Sequence, residues 1–195
     1  MTLEPEDILP YLRMGGRTPD GALAARIAEM RDNALREMRP AKTWRRMPTP
    51  RQWLETSRAL SIRLEGCAEV YLACGTIGAS FDAWHRRISV KSSADALIAQ
   101  AVGAAAIEKV MDSIEDDIRA ELAPGETLVK RYSPGYADFP LAEQRTLLWL
   151  LDSGRKVGVS LTDSLLMVPS KSVSAVIGVC PPGLNSPHTQ KATAT

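Results

Sequence analysis

Apolar side chains recur at helical spacing near the start of the chain, within a segment rich in charged residues. Between residues 18 and 40 they fall three or four positions apart, which predicts an amphipathic helix. They are Leu23, Ile27, Met30, Ala34 and Met38. Thr18-Pro19 is a start signal, a capping residue followed by proline in the first turn, and Pro40 is a stop.

A longer helix is predicted over residues 94–122. One apolar stripe runs along it, formed by Ile107, Val110, Met111, Ile114 and Ile118. The small residues at 103–106, Gly-Ala-Ala-Ala, allow a neighbouring element to approach this helix closely. We therefore expect the helix to be the structural axis of the domain.

Strands and shorter helices are predicted along the rest of the chain. Runs of small and β-branched residues predict strands over residues 43–47, 70–74, 127–131, 157–161 and 172–179. Helices are predicted over residues 8–14 and 57–65, around Phe81, and from Pro140 in a first turn to about residue 151. The mixed order, with a strand-rich C-terminal half, favours an α+β fold with a largely antiparallel sheet over a doubly wound fold.

The predicted elements divide the chain into three parts. A helical preface occupies residues 1–40, the main domain residues 41–180, and a tail residues 181–195. The tail begins with proline and glycine and continues with polar residues, which predicts disorder. At 195 residues the chain is long enough to bury one core.

Composition disfavours several classes of function. Lys plus Arg number 24 against 23 for Asp plus Glu, so a net charge of +1 creates no field that gathers nucleic acid. No apolar run approaches the ~20 residues that cross a bilayer, and the first residues are acidic, so we expect a cytoplasmic protein without membrane association. Three cysteines without paired spacing and two distant histidines offer neither a metal site nor a catalytic triad.

The residue types suited to ligand binding concentrate at residues 131–136, Arg-Tyr-Ser-Pro-Gly-Tyr. Arg131 presents a planar fork of donors suited to a carboxylate, and Tyr136 a flat ring with a hydroxyl. Between them Pro134 fixes φ, and Gly135 permits a sharp bend and close approach of a ligand to the main chain. Taken alone, such a segment is more often a structural turn with a surface arginine.

A second segment of the chain supports a ligand-binding interpretation of this turn. Residues 157–178 contain Thr162-Asp-Ser164, Met167-Val-Pro169 and Ser172-Val-Ser174. In order, spacing and residue type, the two segments together resemble the activation domain of cobalamin-dependent methionine synthase, in its compact stand-alone form. The resemblance covers about residues 8–180.

The resemblance implies a C-shaped, largely antiparallel twisted sheet flanked by helices, with S-adenosylmethionine in a shallow groove. It implies ligand contacts from Arg131, Gly135 and Tyr136, with Ser133 and Pro134 in the same turn. Glu108 on the long helix matches a glutamate of the family's site. The family's N-terminal aspartate has no convincing match here, and its tyrosine pair falls at residues 185–186, which are Asn and Ser.

Simpler interpretations compete with these assignments. Glu108 lies at helical spacing with Asp112 and Glu115, and an acidic stripe beside an apolar face is usually solvated. Asp138 is better explained as a helix-capping group than as a ligand contact. Four hydroxyl side chains could bind a ligand, but residues of this type more often satisfy turn and strand-end backbone groups. They are Thr162, Ser164, Ser172 and Ser174.

The function implied by the resemblance is a reactivation component of a split methionine synthase. It would bind S-adenosylmethionine for reductive remethylation of cob(II)alamin on a partner cobalamin-binding subunit, with a flavodoxin-like electron donor. The chain has no Asp-x-His-x-x-Gly cobalamin signature, and we assign no catalytic residue to it, so we expect a component of methyltransferase activity. Two alternatives remain: a non-catalytic scaffold or chaperone of a corrinoid protein that has lost S-adenosylmethionine binding, or service to a different corrinoid methyltransferase.

Overall fold

Helices and strands alternate irregularly in the computed structural model, which describes residues 1–14 and 17–184. The predicted tail begins within the described residues, where the N–H of Leu184 donates to the carbonyl of Pro181 at 3.2 Å. Its remaining residues, 185–195, include the positions matching the family's tyrosine pair and lie outside the described residues. In chain order the elements are α1 (Pro5–Ile8), a 3-10 helix (Leu9–Leu12), α2 (Gly21–Glu37), β1 (Ala41–Pro48), α3 (Arg51–Thr56), α4 (Arg58–Arg63), β2 (Glu69–Thr76), α5 (Ala79–Lys91), α6 (Ser93–Glu121), β3 (Thr127–Leu128), α7 (Glu143–Leu151), α8 (Ser153–Val157), β4 (Ser160–Leu161), β5 (Met167–Val168) and β6 (Ser172–Cys180).

An antiparallel sheet forms the centre of the domain. Within the described residues it has four strands in the order β1-β2-β6-β3. β2 pairs along its whole length with both β1 and β6, so it is the buried middle of the sheet. β4 and β5 form a separate two-stranded ribbon. The predicted α+β class, with an antiparallel sheet flanked by helices, is confirmed.

The two faces of the sheet carry separate apolar cores because side chains alternate along a strand. Ala175 and Ile177 of β6 pack in one cluster with Met111 and Ile114 of α6. Val176, between them in sequence, lies in another cluster that includes residues of α3, α4 and α7. We call these two sides the α6 face and the α7 face.

The long helix has nearly its predicted bounds and lies across the sheet. Ser92 begins it by accepting a hydrogen bond from the backbone N–H of Asp95, at 3.2 Å. A Cβ added at Gly103 would lie 2.6 Å from the Phe81 ring of α5, so the predicted close approach is made by that helix. The same half of α6 also packs against α2 in one apolar cluster.

Several predicted element bounds are wrong, for local reasons. Residues 157–161 are not one strand, because α8 continues to Val157 and Gly158 ends it with φ of 68°. The strand predicted over 127–131 shortens to Thr127–Leu128, and α3 was not predicted. Both prolines expected in a first turn precede their helices. Asp20 caps α2 through the N–H of Leu23, and Pro140 lies in the turn before α7.

Candidate functional site

The chain leaves the sheet just after β3, and this opens a notch beside β6. The N–H of Val129 donates to the carbonyl of Gly178, and Tyr132 and Val176 exchange two backbone hydrogen bonds of 2.9 and 2.8 Å. Pro134 has no N–H to continue the ladder, and Gly135 turns the chain with φ of 92°. In the described part of the chain, no strand flanks residues 172–175 on this side.

A cavity of about 580 Å³ occupies this notch. Five of the six sequence-predicted site residues line it, namely Glu108, Arg131, Ser133, Pro134 and Tyr136. Gly135 is not a lining residue; it is exposed on the bend, where a Cβ would lie 3.2 Å from the Leu141 side chain. The structure therefore brings together the turn and the long helix, which the resemblance had placed in one site.

The α6 wall of the cavity is held by charge. Arg131 donates to Asp112 at 2.8 Å and to Glu115 at 2.6 Å, and it forms an ion pair with Glu108. Burial by itself would lower the pKa of Arg131, but the hydrogen bonds with Asp112 and Glu115 outweigh it and raise the pKa. The side chain of Glu115 is only 4% exposed. The acidic stripe is thus not merely solvated, because it fixes the guanidinium against α6.

These bonds leave Arg131 with capacity for a ligand. A guanidinium has five N–H donors. The hydrogen bonds to Glu108, Asp112 and Glu115 occupy three of them. Within residues 1–14 and 17–184 the remaining two donors have no partner, and the charge of Arg131 is compensated by its three acidic partners.

The opposite wall is aromatic, because Tyr132 follows Arg131 in an extended segment and lies on the α7 face. Its ring stacks at 6.3 Å on Phe139 and lies 6.0 Å from the ring of Tyr136. The guanidinium carbon of Arg63, from α4, lies 4.7 Å from the centre of the same ring. Gln144 and Met167 complete this side of the cavity. Hence one cavity has a charged wall and a largely uncharged wall.

Two anchors hold the turn that carries Gly135 and Tyr136. Phe139 is 1% exposed and packs edge-on against Trp53 at 5.7 Å, and its carbonyl accepts the N–H of Gly135 at 2.8 Å. Asp138 accepts hydrogen bonds from the hydroxyl of Ser57 and from the first N–H groups of α4. The hydrogen bond with Ser57 is the main cause that lowers the pKa of Asp138. The prediction that Asp138 caps a helix is confirmed, on α4.

The predicted hydroxyl residues differ in their partners. The hydroxyl of Ser172 donates to the carbonyl of Pro169 at 2.7 Å and lies 2.9 Å from the hydroxyl of Thr76. Thr162 accepts the N–H of Leu166 at 3.1 Å. Ser174 lines the cavity, and its buried hydroxyl has no hydrogen-bond partner among the described residues. The expectation that these residues satisfy backbone groups is therefore wrong for Ser174.

Sequence reasoning gave no site role to several lining residues, among them Arg63, Tyr132 and Gln144. The period of two in an extended segment gave a signal for Tyr132, since it shares a face with Pro134, which was assigned to the site. Arg63 and Gln144 come from α4 and α7, which tertiary packing alone brings to the notch. No local pattern distinguishes either from an ordinary surface or core residue.

The described residues contain no helix that is long and apolar enough to span a membrane. They also contain no cluster of three or more His, Cys, Asp or Glu side chains that could hold a metal ion. The groups that line the cavity are an arginine with acidic partners, aromatic rings, and polar groups from the sheet, all of which can bind a ligand.

Comparisons with known proteins identify the family. A family model described as the activation domain of vitamin B12-dependent methionine synthase matches residues 79–182, more than half of the chain. No curated protein matches. The crystal structure of the MetH reactivation domain bound to AdoHcy aligns with a TM-score of 0.60 and 16% identity, over 95% of this chain and 72% of that one, which shows a shared fold. The chain belongs to the family of vitamin B12-dependent methionine synthase activation domains.

Proposed function

We propose that the cavity beside β6 binds S-adenosylmethionine, and that the protein serves as a reactivation component of a methionine synthase. The observation that carries the proposal is the division of the cavity into a wall of acidic residues around Arg131 and a wall of aromatic rings. S-adenosylmethionine is divided in the same way, with a charged amino acid and sulfonium at one end and a neutral nucleoside at the other.

The size and donor chemistry of the cavity fit this ligand. Small-molecule sites commonly have volumes of roughly 300–1,000 Å³, and this cavity has about 580 Å³. The two free N–H donors of Arg131 would hold the carboxylate, and Glu108 would face the ammonium. Tyr136 offers an exposed ring face to the nucleoside, and the bend at Gly135 allows its close approach to the main chain.

The task of the chain would be to position its ligand. When bound, S-adenosylmethionine supplies a methyl group on a positively charged sulfur, for transfer to cobalt that a donor such as flavodoxin has reduced. The groups that line the cavity bind and orient, and no proton has to be abstracted, which agrees with a site without histidine. Because the chain has no Asp-x-His-x-x-Gly signature, the cobalamin would be carried by a partner subunit, in the cytoplasm.

Titration calorimetry with S-adenosylmethionine and S-adenosylhomocysteine tests the binding proposal. We expect saturable heat from the wild type, about tenfold or more loss of affinity in Arg131→Ala, and partial retention in Arg131→Lys, which keeps the charge but not the fork. Arg155→Ala is the control, because Arg155 is exposed and pairs only locally with Asp152. Thermal melts of each variant separate loss of binding from loss of folding.

A wild type that gives no heat with either ligand would contradict the proposal and favour the alternative of a scaffold or chaperone for a corrinoid protein. One observation favours that alternative: Asn and Ser occupy positions 185 and 186, where the family has tyrosines. Deleting the gene tests the physiological role separately. We expect methionine auxotrophy where no other synthase exists, and growth without methionine would contradict the assignment.

A further inference from the structure

Ser174 carries an unsatisfied hydroxyl beside the cavity. The residue is 1% exposed, lies among those that line the cavity, and finds no hydrogen-bond partner for its Oγ within residues 1–14 and 17–184. Buried hydroxyl groups nearly always have a partner, so an exception next to a cavity calls for an explanation. Ser172 lies two residues away on the same face of β6, and its hydroxyl is fully engaged with Thr76 and Pro169.

The main chain of Ser174 also faces the notch. Backbone groups of alternate residues in an antiparallel strand point to the same neighbour. The backbone groups of Gly178 and Val176 form hydrogen bonds with the segment after β3. The carbonyl of Lys171, an odd-numbered residue, instead accepts the N–H of Ile77, which follows β2. By this alternation, the N–H and C=O of Ser174 point toward the segment that has left the sheet. The residue facing it there by register is Pro134, which has no N–H to offer.

The surroundings of Ser174 indicate which part of a ligand it would meet. In the alternation along β6 its side chain belongs to the α7 face, together with Val176. Three cavity residues on that face, Tyr132, Gln144 and Met167, are uncharged, and the guanidinium of Arg63 on the same side is stacked 4.7 Å over the ring of Tyr132. The ion pair of Arg131 with Glu108 lies on the α6 face. A neutral group with hydrogen-bonding edges therefore suits Ser174 better than a carboxylate or an ammonium.

We propose that Ser174 is a ligand-binding residue, which hydrogen-bonds the nucleoside half of S-adenosylmethionine through its hydroxyl and its strand edge beside the notch. This inference rests on the proposed function. A base edge and a ribose both offer donors and acceptors of the kind that these groups require. The ligand would thus satisfy a hydroxyl that has no partner among the described residues.

Two serine variants test the inference. Ser174→Ala should weaken S-adenosylhomocysteine about five- to tenfold, the usual effect of losing one hydrogen bond, and should weaken adenosine by the same factor. It should leave the melting temperature of the free protein unchanged or higher, because it removes an unpaired group. Ser172→Ala, the matched control, should lower the melting temperature without changing either affinity. Calorimetry and competition binding give the affinities, and thermal melts the stabilities.

The outcomes are separable. If Ser174→Ala binds S-adenosylhomocysteine as tightly as the wild type, the inference is wrong and the proposed function stands. If the variant weakens S-adenosylhomocysteine but not adenosine, the contact is not with the nucleoside, and the inference is equally wrong. If Ser174→Ala melts lower, as Ser172→Ala does, its hydroxyl has a structural role instead. A wild type that binds neither compound overturns the proposed function itself.

Discussion

The two walls of the cavity are held in different ways. The α6 wall stands on a helix of 29 residues, and its carboxylates fix Arg131 from a rigid backbone. The facing wall is the turn at residues 133–139, which has no helix or strand of its own. It depends on one buried ring, Phe139, and one carboxylate, Asp138, each anchored to an element distant in sequence.

Because of this difference, a substitution in the turn can change the shape of the site while the rest of the domain stays folded. A substitution on α6 disturbs a helix that packs against the sheet, α2 and α5, so folding and binding change together. A substitution at an anchor of the turn can displace one wall while the sheet remains. Loops placed on a rigid scaffold commonly carry function for this reason. Three variants of the turn measure how far the separation extends.

Phe139→Ala should have the largest effect. It removes a ring that is 1% exposed between Trp53 and Tyr132, so we expect the free energy of unfolding to fall by about 3–5 kcal/mol. We also expect binding of S-adenosylhomocysteine to be lost at temperatures where the variant is folded. Urea unfolding and calorimetry provide the two measurements.

The control for this variant is Phe81→Ala. Phe81 is equally buried, but it packs between α5 and α6 away from the turn. Phe81→Ala should lower the free energy of unfolding by a similar amount, and its folded molecules should keep their affinity for S-adenosylhomocysteine. Equal loss of affinity in the two variants would show that the walls are not independent.

Gly135→Ala should have an intermediate effect. Its φ of 92° is unfavourable for any residue with a side chain, so we expect a loss of about 1–2 kcal/mol in stability, together with weaker binding, because the bend must shift. Gly158→Ala is the matched control. Gly158 has φ of 68° and no heavy atom within 4 Å of an added Cβ, and it lies outside the cavity. The variant Gly158→Ala should be less stable than the wild type but should bind the ligand with the same affinity. Unchanged binding in Gly135→Ala would mean that the bend does not shape the site.

Sequence patterns predicted the helical wall better than the turn. The stripe of Ile107 to Ile118 defined α6 to within a residue, because a long amphipathic period is repeated many times. The bend at Gly135 was predicted from proline and glycine chemistry. Periodicity could not show that Asp112 and Glu115 would bind Arg131, or that Ser174 would lack a partner. Those facts depend on the register between β6 and a segment more than 40 residues earlier, which has no local signature.

Asp138→Asn should have the smallest effect, and one that depends on pH. Asp138 is exposed, but its carboxylate joins the turn to the N-terminus of α4 through Ser57 and two backbone N–H groups. Its pKa in the folded protein is lowered from the usual 3.8. A lowered pKa stabilises the folded state above the unfolded pKa, and this contribution disappears as the pH falls through the folded value.

The wild type should therefore exceed Asp138→Asn in stability by a constant amount at neutral pH, and the two should converge below about pH 4. Urea unfolding across this range measures the difference. Asp163→Asn is the control, since the carboxylate of Asp163 is exposed and makes no hydrogen bond in the described part of the chain. A difference between wild type and Asp138→Asn that persisted unchanged at pH 3 would show that the anchor acts through packing instead of charge.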